Sequence, residues 1–151
     1  MNLKRLEDRA MKDEGFRAKA YLDKRANPPT WTVGYGSTQW LGRAVQPGDS
    51  ILAVDAKRLL RADLYGAILG AESLFARMHE MNSVRQEVLV NMAYQMGRHR
   101  LGGFRKMIAA SEELHYREMA EQMIDSMWYR EQSGHRGQRL VAAMKSGEWL
   151  T

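Results

Sequence analysis

Two carboxylates and one hydroxyl near the start of the chain have the types and the spacing to do chemistry. Glu14 ends a short charged segment and is followed at once by Gly15, and Asp23 comes nine positions later. Thr32 opens the glycine-punctuated stretch Thr-Val-Gly-Tyr-Gly. A carboxylic acid that donates a proton, with a second carboxylate that activates water, is the pair that hydrolysis of a bond between two sugars requires. These three residues are therefore the candidate catalytic groups.

Each of these residues also has an ordinary structural explanation. An Asp beside a turn most often bonds its own backbone, and a Thr suits a strand through β-propensity alone. Glu14 stands at the C-terminal end of a predicted helix, where the helix dipole disfavours an anion by about 0.3–1 kcal/mol. A carboxylate kept in an unfavourable place favours a functional role for Glu14. The relation of Asp23 and Thr32 to Glu14 is what favours such a role for them.

The elements that must position these groups are a short helix and a small sheet. Leu3, Leu6 and Ala10 recur at helical spacing and predict a helix over about residues 2–12. Over residues 16–45, aromatic and β-branched residues alternate with polar or small ones, and glycines and prolines interrupt the stretch. This pattern predicts two or three short antiparallel strands. The candidate acid would then lie at a helix end beside a hairpin.

The remainder of the chain is predicted to be helical. Apolar residues spaced by three or four predict a helix over about residues 55–78, which at 1.5 Å per residue would be about 35 Å long. Shorter helical segments follow, the first ended by Gly97 and the last by Gly147. We therefore expect one α+β domain over residues 1–151. It would have a small N-terminal lobe (about 13–54), this linking helix, and an all-helical C-terminal lobe (about 79–151) on which the first helix packs.

Composition argues against several classes of protein. The 151 residues are 44% hydrophobic and 27% charged and include no Cys, so neither a disordered chain nor a Cys-ligated zinc site is expected. No apolar run of about 18 residues and no secretory leader is seen, so we expect residence in a cytoplasm and no stable membrane insertion. The four histidines lack zinc-binding spacing, and we expect no metal and no cofactor.

The charge of the chain predicts a polyanionic partner. The formal net charge is +5 and the sequence pI is about 9.6, which favours nucleic acid, an anionic lipid surface or an anionic cell wall. The basic residues are spread along the chain instead of forming one concentrated stripe. This distribution argues against nucleic acid as the partner.

Four separated blocks of sequence carry a resemblance to a known family. They are Glu14–Asp23 with Thr32–Gly36, Asn91–Gly97 with Gly103-Phe104, Trp128-Tyr129 followed by Arg136 and Arg139, and Gly147-Glu148-Trp149. In this order they resemble the phage lysozymes of the T-even type, glycoside hydrolase family 24. The lysozyme-like α+β fold of that family agrees with the layout predicted from periodicity.

The resemblance implies a role for each matching residue. Glu14 would be the general acid, Asp23 would position or activate the attacking water, and Thr32 would help to hold that water. Arg136 matches the basic residue that pairs with the catalytic acid. Substrate contacts are implied at five further positions, the last two by register alone because their residue types differ: Thr38, Tyr94, Gln95, Met107 and Gln122.

This chain departs from the family pattern in two places beside the proposed site. The loop between Asp23 and Thr32 is longer than in the T-even type and contains Pro28-Pro29. Ser37 stands where a His is common. Both departures bear on how Asp23 and Thr32 are placed more than on Glu14.

The resemblance implies an endolysin. Such a muramidase would cut the β-1,4 bond between N-acetylmuramic acid and N-acetylglucosamine in peptidoglycan, with inversion. We expect a monomer that stays in the host cytoplasm until a holin opens the membrane. The residues leave three other functions open: a lytic transglycosylase that breaks the same bond, a non-catalytic cationic protein that binds the wall or membrane, and a nucleic-acid binder.

Overall fold

The computed structural model describes residues 1–150. A helix, a short antiparallel sheet and a series of helices follow one another along the chain. The predicted lysozyme-like α+β class is therefore confirmed.

The elements have the following bounds. The helices and strands are α1 (Leu3–Glu14), β1 (Arg17–Asp23), β2 (Thr30–Gly34), β3 (Gln39–Trp40), β4 (Arg43–Ala44), α2 (Ala53–Leu74), α3 (Ser83–Gly102), α4 (Arg105–Glu112), α5 (Tyr116–Ile124) and α6 (Gly134–Ser146). A 3-10 turn at Met78–Glu80 precedes α3, and a π-helical turn at Trp128–Gln132 precedes α6.

The chain divides into two compact units, and the boundary falls inside α2. Residues 3–65 form one unit, the sheet unit, and residues 1–2 with 66–150 form the other, the helical unit. We expected the first helix to pack on the helical lobe, but the structure groups α1 with the sheet unit. Within this unit Glu7 ties α1 to the first half of α2.

The sheet unit is built on a twisted hairpin. Strands β1 and β2 pair antiparallel, with Tyr21 opposite Thr32 and Asp23 opposite Thr30, and the register shifts between Arg17 and Tyr21. A second, two-residue pairing joins β3 to β4. The small apolar core beneath the strands consists of Val33, Val45, Ile51 and Ala56, with Trp31, Tyr35, Trp40 and Leu59 packed against it.

Glu7 carries a partly buried ion pair that fastens α1 to α2. Its carboxylate accepts a 2.8 Å hydrogen bond from Arg61 Nε and lies 3.4 Å from Lys57 Nζ, and its side chain is 10% exposed. The hydrogen bond from Arg61 is the main cause that holds the pKa of Glu7 below its usual value. Because this pKa is lower in the folded protein, the ion pair stabilises the fold above the usual pKa of Glu. That stabilisation is lost as the pH falls through the folded-state pKa.

We expect Glu7→Gln to lower the free energy of unfolding by about 0.5–1 kcal/mol at neutral pH, since both basic partners are substantially exposed. The difference from the wild type should vanish at a pH below the folded-state pKa of Glu7, where the carboxylate is protonated. Urea unfolding at the two pH values measures it. Asp8→Asn is the control, because it breaks the exposed pair of Asp8 with Lys4 on the same helix. An equal loss of free energy of unfolding for Glu7→Gln at both pH values would show that the charge of Glu7 is not the source of the stabilisation.

The helical unit corrects two predicted helix ends. The helix that was predicted to end at Gly97 is bent there, where Gly97 has non-helical angles (φ 80°, ψ 160°), but α3 continues to Gly102. We predicted that the helix beginning near residue 55 would continue to residue 78, whereas α2 ends at Leu74. Phe75 and Met78 are buried beyond this end, and a 3-10 turn follows at Met78–Glu80. Within residues 1–150, no helix has the length and apolar character needed to cross a membrane.

A buried carboxylate on α3 joins the two chain ends to the helical unit. Glu87 is completely buried, and its two oxygens accept 2.9 Å hydrogen bonds from the backbone N–H of Asn2 and from Trp149 Nε1. A carboxylate without water needs such donors. The sequence shows no periodic signal for Glu87, because the donors are 85 and 62 positions away.

Candidate active site

Glu14 is the last residue of α1, and Gly15 ends the helix. Gly15 has φ +69°, a left-handed conformation that glycine adopts without strain, and its N–H donates to the carbonyl of Met11 at 3.0 Å. The helix therefore stops immediately after Glu14, and β1 begins at Arg17. This local geometry puts the partly buried Glu14 side chain beside the sheet.

The Glu14 carboxylate lies directly against the backbone of Gly36. A methyl group built on the Cα of Gly36 would lie 2.9 Å from Glu14 Oε2 and 3.4 Å from its Cδ. Gly36 also has φ +85°. Glycine is needed here on both counts, since a side chain would meet the carboxylate and strain the backbone. The sequence showed the glycine but not its neighbour, because 22 positions separate the two residues.

Gly36 belongs to a tight loop at the end of β2, which Val33 and Ser37 close. Val33 and Ser37 exchange two backbone hydrogen bonds, of 2.9 Å from Val33 N–H and 3.0 Å from Ser37 N–H. The three residues between them, Gly34-Tyr35-Gly36, form the loop that supports Glu14. We call residues 33–37 the acid-support loop.

The hairpin presents the other two candidate catalytic residues on one face. Tyr21 is paired with Thr32, and Asp23 lies two positions along β1 from Tyr21, so the three side chains point to the same side. Asp23 and Thr32 are diagonal neighbours in this register, an arrangement that places such residues about 7–8 Å apart. One face of the β1–β2 hairpin thus carries the second carboxylate and the hydroxyl together.

Asp23 and Thr32 are each held by a local hydrogen bond. Asp23 Oδ1 accepts from the N–H of Arg25 at 2.9 Å, which is the turn-forming bond expected of an Asp at a strand end. Thr32 is 2% exposed, and its hydroxyl donates to the carbonyl of Thr30 at 3.0 Å. This donation occupies the only hydroxyl hydrogen of Thr32, so the oxygen can act toward a water only as an acceptor.

Tyr21 is a neighbour of the catalytic candidates that the sequence did not single out. Burial is the main cause that raises the pKa of Tyr21, and the charge of Asp23, with a smaller contribution from Glu14, raises it further. The phenol therefore keeps its proton at neutral pH and remains a hydrogen-bond donor. The guanidinium carbon of Arg17 lies 4.2 Å from the Tyr21 ring centroid, a cation–π contact that covers one ring face.

The predicted substrate positions fall in both units, and one of them is corrected. Thr38 is exposed in the sheet unit, and Tyr94, Gln95 and Gln122 are half-buried in the helical unit. Met107 is completely buried. It shares the inward face of α4 with two other buried residues three and four positions later, so it packs in the core and presents no surface to a substrate. The prediction rested only on the position of Met107 relative to the family's sequence. The burial of its face of α4 is the stronger observation.

Arg136 is fixed within a polar network of the helical unit. Its Nε donates to Asn91 Oδ1 at 3.0 Å, and the same oxygen accepts from Gln95 Nε2 at 2.8 Å. Gln95 Oε1 in turn accepts from the indole N–H of Trp128 at 3.1 Å. Asn91 and Trp128 are almost completely buried. The family resemblance implied a substrate position for Gln95, but the sequence did not indicate that Asn91 and Trp128 bond to it.

Among residues 1–150, no group of three or more His, Asp or Glu side chains is arranged to hold a metal ion. The groups available for catalysis are the two carboxylates, the hydroxyl of Thr32 and the neighbouring phenol.

A helix that ends in a carboxylate, a short sheet against which that carboxylate lies, and a following set of helices are the arrangement expected of a lysozyme-like fold. Comparison with protein families gives the same result. The model of the phage lysozyme family matches residues 11–145, and the chain belongs to that family. Membership supports lysozyme activity, the hydrolysis of glycan strands in peptidoglycan.

Proposed function

We propose that this protein is an endolysin that hydrolyses the β-1,4 bond between N-acetylmuramic acid and N-acetylglucosamine in peptidoglycan. The observation that carries the proposal is the seating of the Glu14 carboxylate on Gly36, beside the hairpin face that bears Asp23 and Thr32. Membership of the phage lysozyme family gives the general activity. The net charge of +5 suits an anionic wall.

In the proposed reaction Glu14 is the general acid. It gives its proton to the glycosidic oxygen as the bond to the anomeric carbon breaks. Asp23 activates a water molecule on the opposite face of the sugar, and the oxygen of Thr32 accepts a hydrogen bond from that water. The water adds to the anomeric carbon, and its second proton passes to Asp23. This sequence inverts the configuration at the anomeric carbon, as expected when water and not a carboxylate attacks the ring.

We propose that Thr38, Tyr94, Gln95 and Gln122 contact the glycan strand. Each is at least partly exposed and carries a hydroxyl or amide group able to bond a sugar. The pairing of Arg136 with the catalytic acid is proposed from the family resemblance. No cofactor enters this mechanism.

Product analysis in ¹⁸O-labelled water tests the bond and the reaction type. Purified peptidoglycan is digested, and the fragments are reduced at once with borohydride to prevent exchange at the new end. Hydrolysis between the two sugars predicts muramic acid ends that carry one ¹⁸O. Unlabelled 1,6-anhydro ends would identify a lytic transglycosylase, and labelled glucosamine ends would show that the other bond of the strand is cut. Proton spectra of a soluble oligosaccharide should show the α-anomer first if the reaction inverts.

The proposed biological role is lysis of the host at phage release. We propose that the enzyme collects as a monomer in the host cytoplasm and reaches the wall when a holin opens the membrane. Expression in a Gram-negative host should then cause lysis only when a membrane lesion is supplied. Lysis without any lesion would contradict the need for a holin. Light scattering of the purified protein tests the monomer.

A further inference from the structure

The acid-support loop is joined to α2 by one short hydrogen bond. Ser37 is 3% exposed, and its hydroxyl donates to Asp63 Oδ2 at 2.6 Å. Asp63 belongs to the first half of α2, within the same sheet unit. Ser37 also closes the loop through its two backbone bonds to Val33. Side chain and backbone of Ser37 therefore connect the loop to a helix on one side and to a strand on the other.

The hydrogen bond between Ser37 and Asp63 is of a kind that restrains its partners strongly. Burial raises the pKa of Asp63, and the bond from Ser37 opposes that rise. A partly desolvated carboxylate is costly unless it is paired, and a hydroxyl-to-carboxylate bond is short and stronger than one between neutral groups. Asp63 therefore holds the Ser37 hydroxyl in one rotamer. The adjacent Gly36 is restrained with it.

The position of Gly36 matters because Glu14 rests on it. With a hypothetical methyl group on Gly36 only 2.9 Å from Glu14 Oε2, the carboxylate has no free space on that side. A shift of the loop away from Glu14 would open a gap, and a shift toward it would push the carboxylate aside. The position of Gly36, and with it that of the Glu14 carboxylate, therefore depends on the hydrogen bond between Ser37 and Asp63.

We propose that Ser37 and Asp63 are positioning residues for Glu14, and that the hydrogen bond between them fixes the loop on which the catalytic acid rests. The inference rests on the proposed function for its catalytic meaning. The loop follows Thr32 directly, so the same bond also steadies the end of the strand that carries this hydroxyl. Neither positioning residue needs to touch the substrate.

The size of the effect follows from the geometry of proton transfer. Displacing a catalytic group by about 1 Å costs about 100-fold in rate. Removing either partner should let the loop move by less than that, so we expect kcat to fall about 10- to 100-fold. The KM should change less than about three-fold, because neither Ser37 nor Asp63 is a proposed substrate contact and the loss falls on the chemical step.

The test compares five variants with the wild type. Ser37→Ala removes the donor, Asp63→Ala removes the acceptor, and the double variant removes both. Asp63→Asn keeps an oxygen that can accept from Ser37. Asp49→Ala is the matched control, because Asp49 accepts from Arg43 and from the N–H of Gln46, which belong to the same unit but not to the acid-support loop.

Rates are measured on a soluble glycan oligomer under conditions where urea unfolding shows every variant to be folded. The proposal predicts the 10- to 100-fold loss of kcat in both alanine variants. The kcat of the double variant should be no lower than that of the less active single variant, because both substitutions remove the same hydrogen bond. Asp63→Asn should recover most of the rate. Asp49→Ala should lose stability but not kcat. Losses of kcat that add in the double variant would overturn the proposal. So would a Ser37→Ala variant that loses as much stability as Asp49→Ala but keeps its kcat.

A second readout separates this inference from the proposed function. The amide resonance of Gly36 and the side-chain carboxyl resonance of Glu14 should shift in Ser37→Ala and Asp63→Ala but not in Asp49→Ala. Unchanged resonances would overturn the inference even in an active muramidase. A wild type that releases no new reducing ends would instead remove the proposed function, and shifted resonances would then still show the loop to be held by this bond.

Discussion

Glu14→Gln should lower the rate of peptidoglycan hydrolysis by at least about 1000-fold, within the range that a general acid contributes. The amide has nearly the shape of the carboxylic acid and can rest on Gly36 in the same way, but it has no acidic proton to give to the leaving oxygen. The measurement is the release of new reducing ends from purified peptidoglycan. Turbidity loss of outer-membrane-permeabilised Gram-negative cells gives a parallel assay.

Stability should move in the opposite direction from activity. Glu14 ends α1, where the dipole of the helix disfavours a negative charge, so the neutral amide should leave the free energy of unfolding unchanged or raise it by about 0.3–1 kcal/mol. A variant that is at least as stable as the wild type and nearly inactive cannot owe its loss to unfolding.

Asp13→Asn is the matched control for this experiment. It removes the adjacent carboxylate and changes the net charge by the same amount, so it carries any effect of charge on attraction to the wall. We expect it to keep near-wild-type activity. Equal clearing of cells by wild type and Glu14→Gln would show that lysis does not depend on this chemistry. A cationic protein that disrupts walls or membranes without catalysis would then be the better explanation.

The order of elements could be predicted from local patterns, because each pattern acts over a few residues. Gly15 and Gly147 end helices at left-handed angles of φ +69° and +76°, as their positions in the sequence indicated. The end of α2 could not be predicted in this way. Apolar spacing continues through Met78, but the chain leaves the helix at Leu74, and both Phe75 and Met78 are buried beyond its end.

The candidate site shows the same division between local and distant information. Residue types and spacing pointed to Glu14, Asp23 and Thr32, since a carboxylate at a helix end and a hairpin are local features. The contacts that organise them join residues far apart in the chain. Gly36 supports Glu14 across 22 positions, and Ser37 reaches Asp63 across 26.

Comparison by register gave one residue too many. Met107 occupies a position implied by the family alignment, but its own helix turns it into the core. Asn91 was passed over as one polar residue in a motif, although it is almost completely buried and accepts hydrogen bonds from Gln95 and Arg136. A buried amide with two donors was not visible until the fold brought α3 and α6 together.

Gly36→Ala should lower kcat by about 100-fold, because it displaces the catalytic acid without altering it. The new methyl group would lie 2.9 Å from Glu14 Oε2, closer than carbon and oxygen atoms pack. The carboxylate is the far end of a flexible side chain, so it should rotate away at little cost in stability. The backbone at φ +85° adds a strain of about 1–2 kcal/mol for a residue with a Cβ. Steady-state rates and urea unfolding measure the two effects separately.

Gly48→Ala isolates the displacement of the acid from the strain of the backbone. Gly48 has φ +89°, nearly the angle of Gly36, but an added methyl group there would meet nothing within 4 Å. The two variants should therefore lose a similar free energy of unfolding, about 1–2 kcal/mol, while only Gly36→Ala loses activity. Equal activity in the two would mean that the contact between Gly36 and Glu14 does not govern the acid. A much larger loss of stability in Gly36→Ala would mean that the loop, and not the Glu14 side chain, yields to the clash. Either result would mean that the position of the Glu14 carboxylate does not depend on Gly36, contrary to the proposal that the acid rests on this glycine.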